Sequence, residues 1–365
     1  MRILYVINSL DGGGGALPLP RVVDVLRSAG HEVGVVSLME RDGRARPALE
    51  AAGITYEVIG GPRRRYLQTA QRLDRIVRRV RPDLLWTSLT HATVTGQLVG
   101  RLRGVPVVSW LHNAWLKPAN EQLLRATAGL TTHWVADSET VAAFGRDRLG
   151  LDPARVGVWP LYVADPAVPT AQPWQSGPFR VGSLGRLHRN KGYDVLIRAL
   201  AHINEEAPDV ASRLSVHIAG EGPQRRELET LAAHLGVSNL HFCGFTDDPS
   251  GFLAGVHGYV QPSHHEGLCI SAHQAMAAGL SVIASPVGEM QRSVTANDGG
   301  TLVAYGDVEG LAAALCAMVA DPSRASAVGR RSRSWVLDQF SAQAFALRGC
   351  AIPEIAKSCS IDSRG

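Results

Sequence analysis

A pair of doubly wound α/β domains is the fold that the amino-acid sequence predicts, and three observations predict it. Short apolar runs ending in glycine or polar turns alternate along the chain with segments of helical apolar spacing. The length of 365 residues suits two domains of ordinary size. A polar passage holding Pro166, Pro169, Pro173 and Pro178 divides the chain near its middle. The expected division is a first domain over 1–165, a linker over 166–178, a second domain over 179–340, and a terminal helix and tail over 341–365.

Composition narrows the class. Apolar residues make up 45% of the chain, which is ordinary for a globular protein. No run approaches the ~18 to 20 apolar residues of a membrane span, and the Met1–Ile7 start carries neither a long apolar stretch nor a small-residue cleavage site. A cytoplasmic protein is expected. Five cysteines without C-x-x-C spacing argue against a disulfide framework and a zinc site, and most are expected to be buried thiols.

In the first domain, Arg2–Ile7 reads as a strand, Asn8–Gly15 as a glycine loop, and 19–29 as a helix. Glycines such as Gly14 and Gly15 allow the backbone to approach a ligand, and a helix start behind them favours an anion. Strands follow at 30–36, 56–59, 83–87, 105–111 and 132–136, with helices between them. His112 stands at the carboxyl end of the Val107–Leu111 run. That position suits either a structural hydrogen-bonder or a ligand contact. Asp137 and Ser138 read as the N-cap of a helix over 139–149.

The second domain opens with the strand Phe179–Leu184. The turn after it holds Gly185, Arg186, Lys191 and Gly192 just before a helix over 193–207. Two cations at a helix entry suit a diphosphate, the alternative being a solvated basic turn. Next come a strand over 214–219, the Gly220-Glu221-Gly222 turn, a helix, and a strand over 240–243 with Cys243 at its end and Phe245 beyond. The run ending at Val260 then meets Pro262-Ser263-His264-His265-Glu266-Gly267-Leu268-Cys269 and a helix stopped by Gly279. A helix start facing a strand's carboxyl end binds anions, while Glu266 there can accept from hydroxyls, so a polyol carrying phosphate is the implied ligand. Helices over 323–340 and 341–355 close the chain.

Pro-Ser-x-x-Glu-Gly, the Gln274-Ala-Met-Ala-Ala-Gly279 helix end and the strand 280–285 resemble the donor site of the retaining family 4 glycosyltransferases. The resemblance implies the GT-B architecture, in which two Rossmann-like domains face a cleft. It implies that Glu266 contacts the transferred sugar, that Arg186 and Lys191 clamp the diphosphate, and that His112 lies near donor phosphates and sugar. Gly14, Gly15, Gly220, Gly222, Cys243, Phe245, Gly267, Leu268, Cys269 and Gln274 complete the implied nucleotide and donor site. The family pattern has a second Glu eight residues after the first, where this chain has Gln274, and Arg292 stands where a later Glu is usual. The loop also matches the family's Gly-Gly-Ala at Gly14, Gly15 and Ala16, with Leu17 where an acid is frequent.

The implied activity is a hexosyl transfer from a nucleotide-diphosphate sugar, UDP favoured over GDP, to a sugar or lipid-linked acceptor. No metal or other cofactor and no nucleic acid are implied. A non-hydrolysing epimerase of the same fold and a non-catalytic nucleotide-sugar binder stand as alternatives. An oxidoreductase is disfavoured because Gly12–Gly15 lacks the G-x-G-x-x-G spacing. Charge is uneven, 21 basic against 15 acidic side chains in the first 165 residues and 16 against 18 afterwards. Eight arginines between Arg63 and Arg81 face a lone Asp74, which suits either a solvated surface helix or an anionic bilayer at the inner face of the plasma membrane.

Overall fold

The computed structural model describes residues 1–12, 15–61 and 65–362, with side chains described to residue 358. The chain divides into two compact units, one of residues 1–162 with residues from 343 onward, the other of 163–342.

In the first unit, β1 (Arg2–Ile7), β2 (Glu32–Ser37), β3 (Tyr56–Val58), β4 (Leu84–Ser88), β5 (Val107–Leu111), β6 (His133–Ala136) and β7 (Val156–Val158) form one parallel sheet ordered β3-β2-β1-β4-β5-β6-β7. Alternation along each strand sorts its side chains onto two faces. Leu4, Val6, Leu85 and Val107 pack with Leu73, Ile76 and Val77 of the helix Tyr66–Val80 and with Val99 of the helix Thr90–Arg103. Tyr5, Trp86 and Trp110 alternate with that set and build an aromatic layer on the other face. Trp110 stacks on Trp159 at 4.8 Å between centroids, and Trp159 meets Phe345 of the terminal helix Ala342–Asp362 at 4.9 Å. Gly349 makes that seat possible, since a Cβ there would lie 2.2 Å from the Trp159 ring.

In the second unit, β8 (Phe179–Leu184), β9 (Leu214–Ala219), β10 (Leu240–Gly244), β11 (Gly258–Gln261), β12 (Val282–Ala284) and β13 (Gly300–Leu302) form a parallel sheet ordered β10-β9-β8-β11-β12-β13. A core of this unit lies where Val181, Val216 and Ile218 meet Leu196, Ile197 and Leu200 of the helix Tyr193–Glu206 and Leu311 and Leu315 of the helix Val308–Ala320. The strand order of each sheet reverses once, between β1 and β4 in the first and between β8 and β11 in the second. Ligands in open α/β sheets bind outside the carboxyl ends of the strands at such reversals.

Several elements differ from expectation. β7 and the helix Pro118–Thr127 have sequences too short or too polar to show a period, and packing against β6 and the helix Thr90–Arg103 decides them. The cysteines also depart from the expected burial. Cys269 is buried, Cys243 is exposed, Cys316 and Cys350 are half-buried, and the side chain of Cys359 lies outside the described residues.

Candidate active site

Loops leave the carboxyl edge of the second sheet after each strand, and backbone bonds tie neighbouring ones together. Gly185 N–H donates to Ala219, Leu187 N–H to Glu221, and Gly220 N–H to Gly244, which joins the turns after β8, β9 and β10. Gly220 (φ 155°) and Gly222 serve this contact, because a Cβ on either would lie 1.9 Å from the Gly185 carbonyl oxygen or 2.2 Å from that of Leu187. Glu289 N–H donates to Gly267 O at 2.9 Å and ties the loop after β12 to the loop after β11.

At the reversal between β8 and β11, Lys191 Nζ donates to Glu266 Oε1 at 2.6 Å. Oε1 also accepts from Ser263 Oγ at 2.7 Å and, over a long 3.4 Å, from Gln261 Nε2. Oε2 has no partner among the described residues and is not sealed from solvent, so it is the oxygen Glu266 can offer a ligand. The two side chains are 21% and 11% exposed. Burial pulls the Lys191 ammonium down, but the Glu266 carboxylate and the nearby Cys269 and Tyr193 outweigh it and hold Lys191 above its ordinary range. Beside the pair, the helix Ile270–Ala277 begins after Cys269, whose left-handed backbone (φ 61°) turns the chain into it. The N–H groups of Gly267, Leu268, Cys269, Ile270 and Ser271 make no hydrogen bond among the described residues, leaving a row of donors at a positive helix end. Burial pushes the Cys269 thiol up to about 12, so it is no nucleophile at neutral pH.

The structure therefore brings Lys191, Glu266, Gly267, Leu268 and Cys269 together and sets the turn of Gly185 and Arg186 beside Gly220 and Gly222. Arg186 is exposed with no partner among the described residues. Cys243 and Phe245, the latter 46% exposed, lie at the end of β10. Gln274 sits half-buried on the second turn of its helix without a partner among the described residues. Arg292 lies 3.6 Å from Glu289. No group of three or more His, Cys, Asp or Glu among the described residues could hold a metal ion.

In the first unit, His112 Nδ1 donates to Asp137 Oδ2 at 3.0 Å, which leaves Nε2 as the nitrogen that accepts from Ser88 Oγ. His112 and Asp137 are each 7% exposed, and the imidazole lies over Trp110. Register explains the pairing: Leu111 is opposite Ala136, so the next residues of β5 and β6 are neighbours. Asp137 had read as a cap, but Ser138 alone caps the helix, accepting from Val141 N–H, and Asp137 is released for His112. Ser88 and Asp137 were thus missed, although adjacent strand ends in a parallel sheet could have signalled both. Leu89, next to Ser88, has φ 74° and ψ 152°, a region reserved almost wholly for glycine. Gly15 lies against its side chain. Gly14 lies outside the described residues.

The arginine-rich helix runs from Tyr66 to Val80. Its apolar side is committed to the sheet, while Arg79 pairs with Glu57 and Arg78 and Arg103 with Asp74. Arg65, Arg75 and Arg81 are exposed without ion-pair partners among the described residues, and Leu67 is 85% exposed. Arg63 and Arg64 lie outside the described residues.

Two Rossmann-like parallel sheets, one presenting a lysine–carboxylate pair beside unpaired N–H groups where its strand order reverses, define a two-domain α/β protein whose second unit is suited to an anionic ligand. Residues 13–165 match the model of Glycosyltransferase Family 4, and residues 178–321 match that of Glycosyl transferases group 1. The chain belongs to these family 4-type glycosyltransferases. It is 34% identical over 165 residues to the lipopolysaccharide core biosynthesis glycosyltransferase LpsE of Rhizobium meliloti, a match covering 45% of this chain and 46% of that one, so it spans about half that relative's length. It is 28% identical over 281 residues to the 2-deoxystreptamine glucosyltransferase of Streptomyces kanamyceticus, covering 68% and 70%. The crystal structure of Anabaena Alr3699/HepE in complex with UDP-glucose superposes with a TM-score of 0.82 at 21% identity over 99% of both chains, which establishes the GT-B fold.

Proposed function

We propose that the protein transfers a hexosyl group from a nucleotide-diphosphate sugar to an acceptor hydroxyl, with retention at the anomeric carbon, in the assembly of a bacterial surface glycan. The observation that carries this reading is the Lys191–Glu266 pair at the reversal of the second sheet, beside the unpaired N–H groups of 267–271. A diphosphate needs fixed positive charge, supplied by Lys191, Arg186 and the helix start. A sugar needs an acceptor oxygen, supplied by Glu266 Oε2.

As the glycosidic bond breaks, negative charge grows on the departing diphosphate, and donors already in place stabilise it without reorganising. With Oε1 held by Lys191 and Ser263, Glu266 is set to orient hydroxyls. In this reading the departing phosphate oxygen takes the proton from the acceptor hydroxyl as that hydroxyl attacks the same face of an oxocarbenium-like ion pair. Asp137 in this reading sets the tautomer of His112, and Nε2, which accepts from the Ser88 hydroxyl, is the nitrogen left available to a hydroxyl group. The UDP-glucose bound by Alr3699/HepE supports a nucleotide-sugar donor, and the lipopolysaccharide core relative supports a glycan acceptor.

The test is thermal stabilisation by a panel of UDP- and GDP-sugars, followed by transfer assays with glycan acceptors. A stabilising donor consumed only when acceptor is present supports the reading. Isomerised sugar with donor alone means an epimerase, and tight binding without turnover on any acceptor means a binder. The reading extends to a cytoplasmic protein held peripherally on the inner face of the plasma membrane, through Arg65, Arg75, Arg81 and Leu67. Co-sedimentation with anionic vesicles at low salt, lost at high salt and in an Arg65→Ser, Arg75→Ser, Arg81→Ser variant, is the expected result. Binding indifferent to lipid charge would refute it.

A further inference from the structure

Gln261, the last residue of β11, is 1% exposed and makes every hydrogen bond its amide can orient. Its Oε1 accepts from Tyr259 Oη at 2.8 Å and from Ser271 Oγ at 3.2 Å, and its Nε2 donates to Ser263 Oγ at 2.8 Å and to Glu266 Oε1 at 3.4 Å. Tyr259 Oη in turn accepts from Leu184 N–H at 3.1 Å. Burial, with Cys269 and Tyr193 nearby, keeps the Tyr259 phenol protonated, and its O–H reaches both Gln261 Oε1, at the shorter distance, and the Leu184 carbonyl at 3.3 Å. The Glu266 carboxylate, an acceptor only, fixes which end of the amide is nitrogen. From the amide the bonds run one way, from Gln261 Nε2 through the Ser263 hydroxyl to Glu266 Oε1, and each polarises the next. Glu266 faces the resulting donors together with Lys191, whose turn leaves β8, while Ser271 anchors the first helical turn to the same amide.

We infer that Gln261 is a positioning residue. It directs the Ser263 hydroxyl onto Glu266 Oε1 and so leaves Oε2 aimed at the hydroxyls of the transferred sugar, without itself touching the ligand. The inference rests on the sugar-transfer reading for its substrate and on the hydrogen bonds alone for its geometry.

The experiment compares the wild type with Gln261→Leu and Gln261→Glu, using UDP-glucose and GDP-mannose, each against its free diphosphate. Gln261→Leu should lower kcat/KM for the nucleotide sugar at least about tenfold while the affinity for free diphosphate changes less than about twofold, because the diphosphate lacks the group that Glu266 orients. Equal losses for sugar nucleotide and diphosphate would overturn the inference, as would no loss in either. Gln261→Glu can donate to Ser263 only when protonated, so its activity relative to wild type should rise as pH falls, and a parallel pH profile would overturn the role. A crystal structure of donor-free Gln261→Leu should show Glu266 released from its single position. An unchanged Ser263–Glu266–Lys191 arrangement overturns the inference whether or not a donor is found, whereas a wild type that binds no nucleotide sugar overturns the transfer reading only.

Discussion

Replacing Lys191 with methionine isolates the contact at the centre of the site. Methionine keeps an unbranched stem and removes the ammonium, so Glu266 Oε1 retains only the Ser263 hydroxyl and the long Gln261 contact at 11% exposure. Breaking a fully buried pair costs roughly 3–5 kcal/mol, because the remaining charge stays desolvated. At 21% and 11% exposure some of that charge is screened, and about 2 kcal/mol is the expected loss. For a domain of this size one kcal/mol shifts Tm by roughly 2–4 °C, so Lys191→Met should melt about 4–8 °C below wild type. Adding Glu266→Gln removes the stranded charge, and the double variant should regain at least about half of the loss. Scanning calorimetry of the wild type, both single variants and the double variant at pH 7 measures this coupling. A double variant melting at or below Lys191→Met would refute the reasoning. Transfer should fall at least ~10²-fold in Lys191→Met through loss of a fixed cation at the diphosphate.

Three further outcomes follow from the same geometry. Burial holds His273 and His133 down at about 4, so between pH 6.5 and 4 the unfolded chain binds more protons and stability falls as pH falls. His273, fully buried between Cys269 O and Ser293 Oγ, contributes on the order of 3 kcal/mol to that loss, and thermal melts of His273→Gln should show a shallower decline across the same window. Asp137→Ala frees the tautomer of His112 and should lower kcat by ~10-fold or more with diphosphate affinity unchanged, so a wild-type kcat would remove His112 from the chemistry. Gln274→Glu puts an acid on the second turn of the helix after Glu266, and an unchanged donor dissociation constant would take that side chain out of the nucleotide site.

How much was legible before folding varied from residue to residue. The alternation of strands and helices, the proline passage and the turns before Lys191 and around Glu266 are local patterns, because apolar period, helix entry and turn chemistry act over a few neighbours. They determined the two parallel-sheet units and the stretches that carry the cations and the carboxylate. The arginine run was visible in the same way, but its apolar partners were not, since only the sheet shows that Leu73, Ile76 and Val77 are spent on the core.

What tertiary structure alone decided is which distant residues meet. Lys191 and Glu266 are 75 positions apart and become a 2.6 Å pair because β8 and β11 are neighbours across a reversal of strand order. Asp137 changes from an apparent cap to the partner of His112 because β5 and β6 end in register. Gln261, which no local pattern singles out, becomes a hub, since its four partners come from a strand, a turn and a helix that only packing gathers. Local chemistry sets the elements at small entropic cost, whereas long-range hydrogen bonds form only after the sheet has brought their strand ends together, so no pattern in the linear chain records them.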